Sequence, residues 1–215
     1  MQRYQKEFID LALELGALRF GRFTLKSGRV SPYFFNAGRF CTGRAAAIVG
    51  RCYAATIAAS SLHFDMIFGP AYKGIPLAAL AAAALADSQD TDVPFAYNRK
   101  EAKAHGEGGN IVGAELKGRV LIIDDVITAG TAVREACEII RGAGAEVAGL
   151  VISLDRQERG TTLLSAVQEL EQSMGVPVQR IIGLDNLVEV LKESGQFGEH
   201  LESVLEYRRE YGVDS

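Results

Sequence analysis

The stretch of this chain best equipped for chemistry is Val120-Leu-Ile-Ile-Asp-Asp-Val-Ile-Thr-Ala-Gly-Thr-Ala132. An apolar run ends in two adjacent acids, Asp124 and Asp125, and a loop of Thr128, Ala129, Gly130 and Thr131 then opens a helical pattern. A helix N-terminus offers unpaired N–H groups and the positive end of a dipole to an anion. Gly130 lets the main chain approach closely, and Thr128 and Thr131 add hydroxyl donors. The loop is a seat for one phosphate monoester. The two acids repel phosphate; they suit ribose hydroxyls, a metal ion, or a positive charge developing on a sugar. Together they describe a site for a phosphorylated sugar. The competing reading, a capping turn with two solvated acids, fits poorly with acids that follow a fully apolar strand.

A second turn, Gly69-Pro-Ala-Tyr-Lys-Gly-Ile-Pro76, carries Lys73, a point charge suited to phosphate. A third stretch, Asn98 to Asn110, holds Arg99, Lys100, Lys103 and His105, and ends glycine-rich without an apolar anchor. Read alone, these are a loop with a surface lysine and a solvated hairpin tip. Beside the phosphate seat, the cationic stretch reads as a cover that folds over bound phosphate charge and excludes water.

The elements that must position these loops alternate. Residues 5–15 have helical apolar spacing and stop at Gly16. Residues 18–40 carry Phe20, Phe23, Tyr33, Phe34, Phe35 and Phe40 among glycine and proline, which suggests short strands in a lobe. From residue 43 onward, strand and helix patterns take turns. Strands are expected at 65–68, 93–97, 120–123, 147–154 and 178–182. Helices are expected at 44–60, 77–86, 131–141, 162–173, 185–194 and 198–211. Continuous apolar strands alternating with helices predict an α/β fold with a doubly wound, mostly parallel sheet. Its ligands are expected at the carboxyl ends of the strands.

Composition narrows the function classes. The chain has 215 residues, 48% hydrophobic and 23% charged, with a formal net charge of −4. The length suits one domain over 1–215, with a small N-terminal hood at approximately 1–40 on a core at 41–215. The acidic balance argues against nucleic acid as a partner. The longest apolar run, Ile75–Ala86, has 12 residues, too short to span a membrane. Met1 to Glu7 does not resemble a signal peptide. Cys41, Cys52 and Cys137 are odd in number and far apart, which suits a reducing, cytoplasmic setting and not a zinc site. Neither a P-loop nor a complete G-x-G-x-x-G is present.

Asp124 to Thr131 resembles the 5-phosphoribosyl-1-pyrophosphate (PRPP) signature of type I phosphoribosyltransferases. The likeness to orotate phosphoribosyltransferases of the bacterial single-function type runs through the whole chain. It includes Phe23 to Arg29, Ser31 to Asn36, Arg99 to Gly106 and Leu154 to Glu158. The resemblance implies the type I fold and transfer of phosphoribose from PRPP to orotate, giving orotidine 5′-monophosphate in pyrimidine biosynthesis. It implies that Thr128 to Thr131 cradle the 5-phosphate, within a PRPP-binding set of Lys26, Tyr72, Lys73, Arg99, Lys100, Lys103, His105 and Asp124 to Ala132, thus including Val126, Ile127 and Ala132. Catalysis would fall to Lys103, Lys73, Arg99, His105, Asp124 and Asp125.

Orotate would be held by Lys26, Phe34, Phe35, Thr128 and Arg156, with Arg156 gripping the carboxylate as a fork. Packing of the hood is the competing role for the two phenylalanines. Mg2+ is the implied cofactor, with no direct protein ligand assigned and Asp124 and Asp125 reaching it through water or substrate. The Ala71–Tyr72 peptide would be cis. The implied assembly is a homodimer in which Lys100, Lys103 and His105 of one subunit serve the site of the other. Two rivals share parts of this pattern. A purine or uracil phosphoribosyltransferase would share Asp124 to Thr131 but leave Arg156 and Lys26 without a purpose. A PRPP-sensing regulator would lack the cationic cover.

Overall fold

The structure, a computed structural model, describes residues 1–25, 27–103, 109–128, 130–160, 162–193, 195 and 197–213; the side chains of 102, 103 and 109 fall outside that description. Lys26, His105, Ala129 and the Lys103 side chain therefore lie outside the described residues.

Helix α1 (Arg3–Glu14) leads into an antiparallel hairpin of β1 (Leu18–Thr24) and β2 (Val30–Phe35). Then follow α2 (Gly43–Ala59), β3 (Met66–Gly69), α3 (Gly74–Gln89), β4 (Phe95–Lys103), β5 (Gly109–Gly113), β6 (Arg119–Asp124) and α4 (Thr131–Gly142). The chain closes with β7 (Glu146–Asp155), α5 (Ala166–Met174), β8 (Val178–Gly183), α6 (Leu184–Glu193) and α7 (Leu201–Tyr211).

The main sheet has the order β5-β4-β3-β6-β7-β8, and all neighbours are parallel except the antiparallel β4–β5 pair. Alternation along the strands divides the core in two. Ile67, Leu121, Ile123 and Val151 face α1, α2, α3, α6 and α7. Met66, Phe68, Val120, Ile122, Leu150 and Ile152 face α4 and α5. Strands buried on both faces explain the unbroken apolar runs. Phe8, Ile9, Leu18 and Tyr33 join the first cluster, so α1 and the hairpin are continuous with the core that α2 and α3 share.

The strand order decides where ligands go. After β3 the chain winds outward through β4 to β5; after β6 it winds the other way through β7 to β8. The turns after β3 and β6 thus start side by side and lead to helices on opposite faces. That is a topological switch point, where open α/β sheets bind ligands.

Two boundaries differ from expectation, and one strand was not expected. The strand expected at 93–97 runs on into the cationic stretch. β4 continues through Lys103, and Tyr97 and Asn98 pair with Val112 and Ile111 of β5. Strand β5, which has no apolar alternation, went unforeseen. Helix α5 begins at Ala166 and not near 162, because the Ser165 hydroxyl accepts from the Gln168 N–H and the Gln168 side-chain oxygen accepts from the Ser165 N–H. That reciprocal cap sets the start of the helix.

Candidate active site at the switch point

The loop after β6 leads directly into the N-terminus of α4, as its sequence implies. Gly130 caps α4 with φ +70° and no side-chain bond to the helix end. The first N–H groups of α4 are therefore open to a ligand. Thr128 and Thr131 are exposed beside them. Val126 and Ile127 instead turn into the two core clusters, so only their main-chain groups face the loop.

Behind the seat, Asp124 and Asp125 are buried to 9% and 7% exposure. The Asp125 N–H donates to Asp124 Oδ1 at 2.9 Å. From α2, Tyr53 reaches the Asp124 carbonyl at 2.8 Å and Ser153 Oγ at 2.6 Å. Ser153 N–H and Leu154 N–H donate to the Asp125 carbonyl. The turn that presents the acids is thus tied to a helix and to the next strand. Burial, and then the Asp125 charge, push the Asp124 carboxyl up to about 7.

The second turn lies against the first. Lys73 Nζ meets Asp125 Oδ2 at 2.6 Å, and Asn98 of β4 accepts the Ala71 N–H at 2.8 Å. The Ala71–Tyr72 peptide is cis, as the family resemblance implied. A Cβ on Gly69 would stand 2.4 Å from the Gly74 carbonyl oxygen. One on Gly74 would stand 2.7 Å from the Ile123 carbonyl oxygen and 2.6 Å from Pro70 Cδ. Only glycine permits this approach. Tyr72 is exposed, with Lys100 Nζ of the same chain 5.5 Å from its ring centre. Arg99 is half-buried.

At the end of β7, Arg156 is not a surface side chain: it is 14% exposed. It has a partner within the chain. Nη2 pairs with Glu158 Oε1 at 2.7 Å and donates to Ser31 Oγ at 3.0 Å. The guanidinium also lies 4.3 Å from the Tyr33 ring centre. Phe34 and Phe35 diverge, as successive strand residues must. Phe35 packs on Phe8 and Phe40, whereas Phe34 meets Phe23 and Arg19. One base cannot stack on both rings.

The sequence reading missed the supports: Tyr53, Asn98, Glu158 and Tyr207. Glu158 is two residues past Arg156, a spacing that can return a side chain to the same side. The other three had no local signal.

Cavities of about 480 and 380 Å³ lie beside α7 and between β8 and α5, away from Lys73, Asp124 and Thr128. The loops still make the better site, because a phosphate held by helix-end N–H groups needs an open cradle more than an enclosed hollow.

The buried Asp124 should make stability depend on pH. Its folded-state value, about 7, exceeds the ordinary 3.8. Between those values the folded chain holds a proton that the unfolded chain has lost, so stability falls as pH rises through the window. The full loss, on the order of 4 kcal/mol, is reached above neutrality. Asp124→Asn should therefore melt several degrees above the parent at pH 8, and the gap should close near pH 4. An equal gap at both pH values would show that Asp124 is ionised throughout.

Comparison with known proteins agrees with the geometry. Residues 40–173 match the phosphoribosyl transferase domain family. The orotate phosphoribosyltransferase of Saccharophagus degradans is 62% identical over 214 residues, covering 100% of both chains. The crystal structure of the Francisella tularensis orotate phosphoribosyltransferase aligns with a TM-score of 0.86 at 41% identity, over 96% of this chain and 100% of that one. A Mycobacterium tuberculosis orotate phosphoribosyltransferase, solved in complex with 5-phospho-alpha-D-ribosyl 1-diphosphate, aligns at 0.63 with 25% identity, over 86% and 98% of the two chains. With its paired acids and open helix end at the switch point, the chain belongs to the orotate phosphoribosyltransferases of the phosphoribosyl transferase domain family.

Proposed function

We infer that the chain transfers phosphoribose from PRPP to orotate, giving orotidine 5′-monophosphate and pyrophosphate, and that the two loops at the switch point carry the reaction. The observation that supports this most is the uncapped N-terminus of α4 immediately after two buried acids. In this reading Thr128 to Thr131 hold the 5-phosphate, and Asp124 and Asp125 face the ribose hydroxyls. Orotate N1 bonds to the anomeric carbon while the bond to pyrophosphate breaks, and the N1 proton passes to the departing pyrophosphate or to solvent. Positive charge grows on the sugar, and the nearby carboxylates stabilise it. Lys73 exchanges Asp125 for a pyrophosphate oxygen. Arg99, Lys100, Lys103 and His105 neutralise the leaving group, and Lys26 and Arg156 hold the base. Catalysis here is positioning and charge stabilisation, with no covalent nucleophile.

Mg2+ suits this donor set. Among the described residues no cluster of three or more metal-ligating side chains occurs. Two adjacent carboxylates beside a pyrophosphate seat fit an ion that takes most of its ligands from substrate oxygens and water. Bound there, it would offset pyrophosphate charge. Turnover of PRPP should be seen with orotate and not with uracil, hypoxanthine or adenine, and should cease in excess chelator. Comparable rates with uracil and orotate would remove the assignment of Arg156, and full activity in chelator would remove the metal.

The homodimer with a shared cover belongs to the same proposal. Its support is a β4–β5 hairpin that carries cations to the edge of the sheet. Lys100 lies near Tyr72 of its own chain, which makes service within one subunit a real alternative. A cytoplasmic location accords with three free cysteines. No described helix is long and apolar enough to cross a membrane.

A further inference from the structure

Glu158 makes more contacts than a surface acid needs. Its carboxylate is 9% exposed and is engaged at both oxygens. Oε1 takes the Arg156 guanidinium at 2.7 Å and the Tyr33 hydroxyl at 2.8 Å. Oε2 accepts from the Tyr207 hydroxyl of α7 at 2.9 Å. Burial raises both phenols, Tyr207 to about 12, so each keeps its proton and donates. A carboxylate held by two phenols from different elements cannot follow a moving partner.

Arg156 is thereby fixed from one side. Nη2 is committed to Glu158 and Ser31. The guanidinium is planar and its donors lie in a rigid fork, so fixing one nitrogen aims the others. The Tyr33 ring, 4.3 Å from the guanidinium, limits its tilt.

The far anchor is itself secured. Arg159 N–H donates to the Tyr211 carbonyl, Val213 N–H donates to the Gln157 carbonyl, and Glu158 bridges to Gly212. Arg29 of the hairpin reaches the carbonyls of Arg159 and Gly160 and lies over the Tyr211 ring. The end of the chain, the hairpin and the end of β7 form one stitched unit.

We propose that Glu158 is a positioning residue for Arg156, and that α7, through Tyr207, helps set how tightly the site takes a carboxylate-bearing base. The proposal rests on the reading of Arg156 as the group that grips orotate. Glu158→Gln keeps size and an acceptor but removes the charge that holds the fork. KM for orotate should rise roughly tenfold to a hundredfold, as for loss of a hydrogen bond to a charged group, while KM for PRPP moves less than twofold. Tyr207→Phe should shift KM for orotate the same way by about threefold to tenfold.

The deciding measurement repeats both substitutions in an Arg156→Ala background. A residue that acts only through Arg156 should then have no further effect on kcat/KM for orotate. Equal fractional losses with and without Arg156 would mean a merely structural role and would overturn the proposal. So would an unmoved KM for orotate, or a matching rise in KM for PRPP. If Glu158→Gln melts too low to assay, Tyr207→Phe, which loses one hydroxyl, decides alone. If Arg156→Ala itself leaves KM for orotate unchanged, the reading of Arg156 fails first and takes the proposal with it.

Discussion

Replacing Arg156 by alanine is expected to lower kcat/KM for orotate by roughly a hundredfold to a thousandfold, with KM for PRPP changed less than twofold. The size follows from loss of a largely desolvated charge facing a carboxylate, typically worth 2–5 kcal/mol, where each 1.4 kcal/mol is tenfold. The structure adds a second consequence. Arg156 is the cation of a pair whose acid is 9% exposed, so its removal strands Glu158. Breaking such a pair from one side costs roughly 3–5 kcal/mol, and two phenols remain here to soften it. Arg156→Ala should therefore also melt below the parent. Arg156→Met combined with Glu158→Gln should restore much of the melting temperature and none of the orotate turnover. Recovery of turnover along with stability would show that Arg156 serves the fold and not the base.

The second large effect concerns whose cover closes whose site. Lys103→Ala has an intact phosphate seat, and Asp125→Asn has an intact cover but loses the acid that Lys73 pairs with at 2.6 Å. Each variant alone should be nearly inactive. If the cover serves the neighbouring subunit of a two-fold dimer, reassorted equal mixtures contain half mixed dimers, each with one complete site of two. Activity should approach roughly a quarter of the parent value for independent sites. Mixed dimers verified by mass that recover nothing would place the cover over its own subunit, where Lys100 already lies near Tyr72.

The parts of this molecule that were legible in sequence are those whose physics is local. The strand at 120–123 declared itself by four apolar residues in a row, because burial on both faces leaves no room for alternation. Asp124 to Thr131 announced a strand end, a turn and a helix start because acids, glycine and helix pattern are contiguous. The supports are different in kind. Glu158 meets Tyr33 and Tyr207 only after the chain has folded hairpin, β7 and α7 together, and Tyr53 meets Ser153 across 100 positions. Periodicity carries no trace of such pairings. Strand β5 was missed for another reason: Gly109, Asn110 and Gly113 have low strand propensity, and main-chain pairing with β4 overrides it.

A Cβ on Gly74 would stand 2.7 Å from the Ile123 carbonyl oxygen, so the spacing of the turns after β3 and β6 is a dimension of the main chain. Side-chain replacement can change the charge carried on either turn, but the spacing behaves as a gauge block, since even a methyl group has no room between them. If the two turns hold the anionic ends of one ligand, as proposed above, that ligand is measured against the block before any base is read. Under the same proposal, selection for a different base has its freedom at the end of β7 and on the β1–β2 hairpin, while the sugar-phosphate span stays at one tolerance.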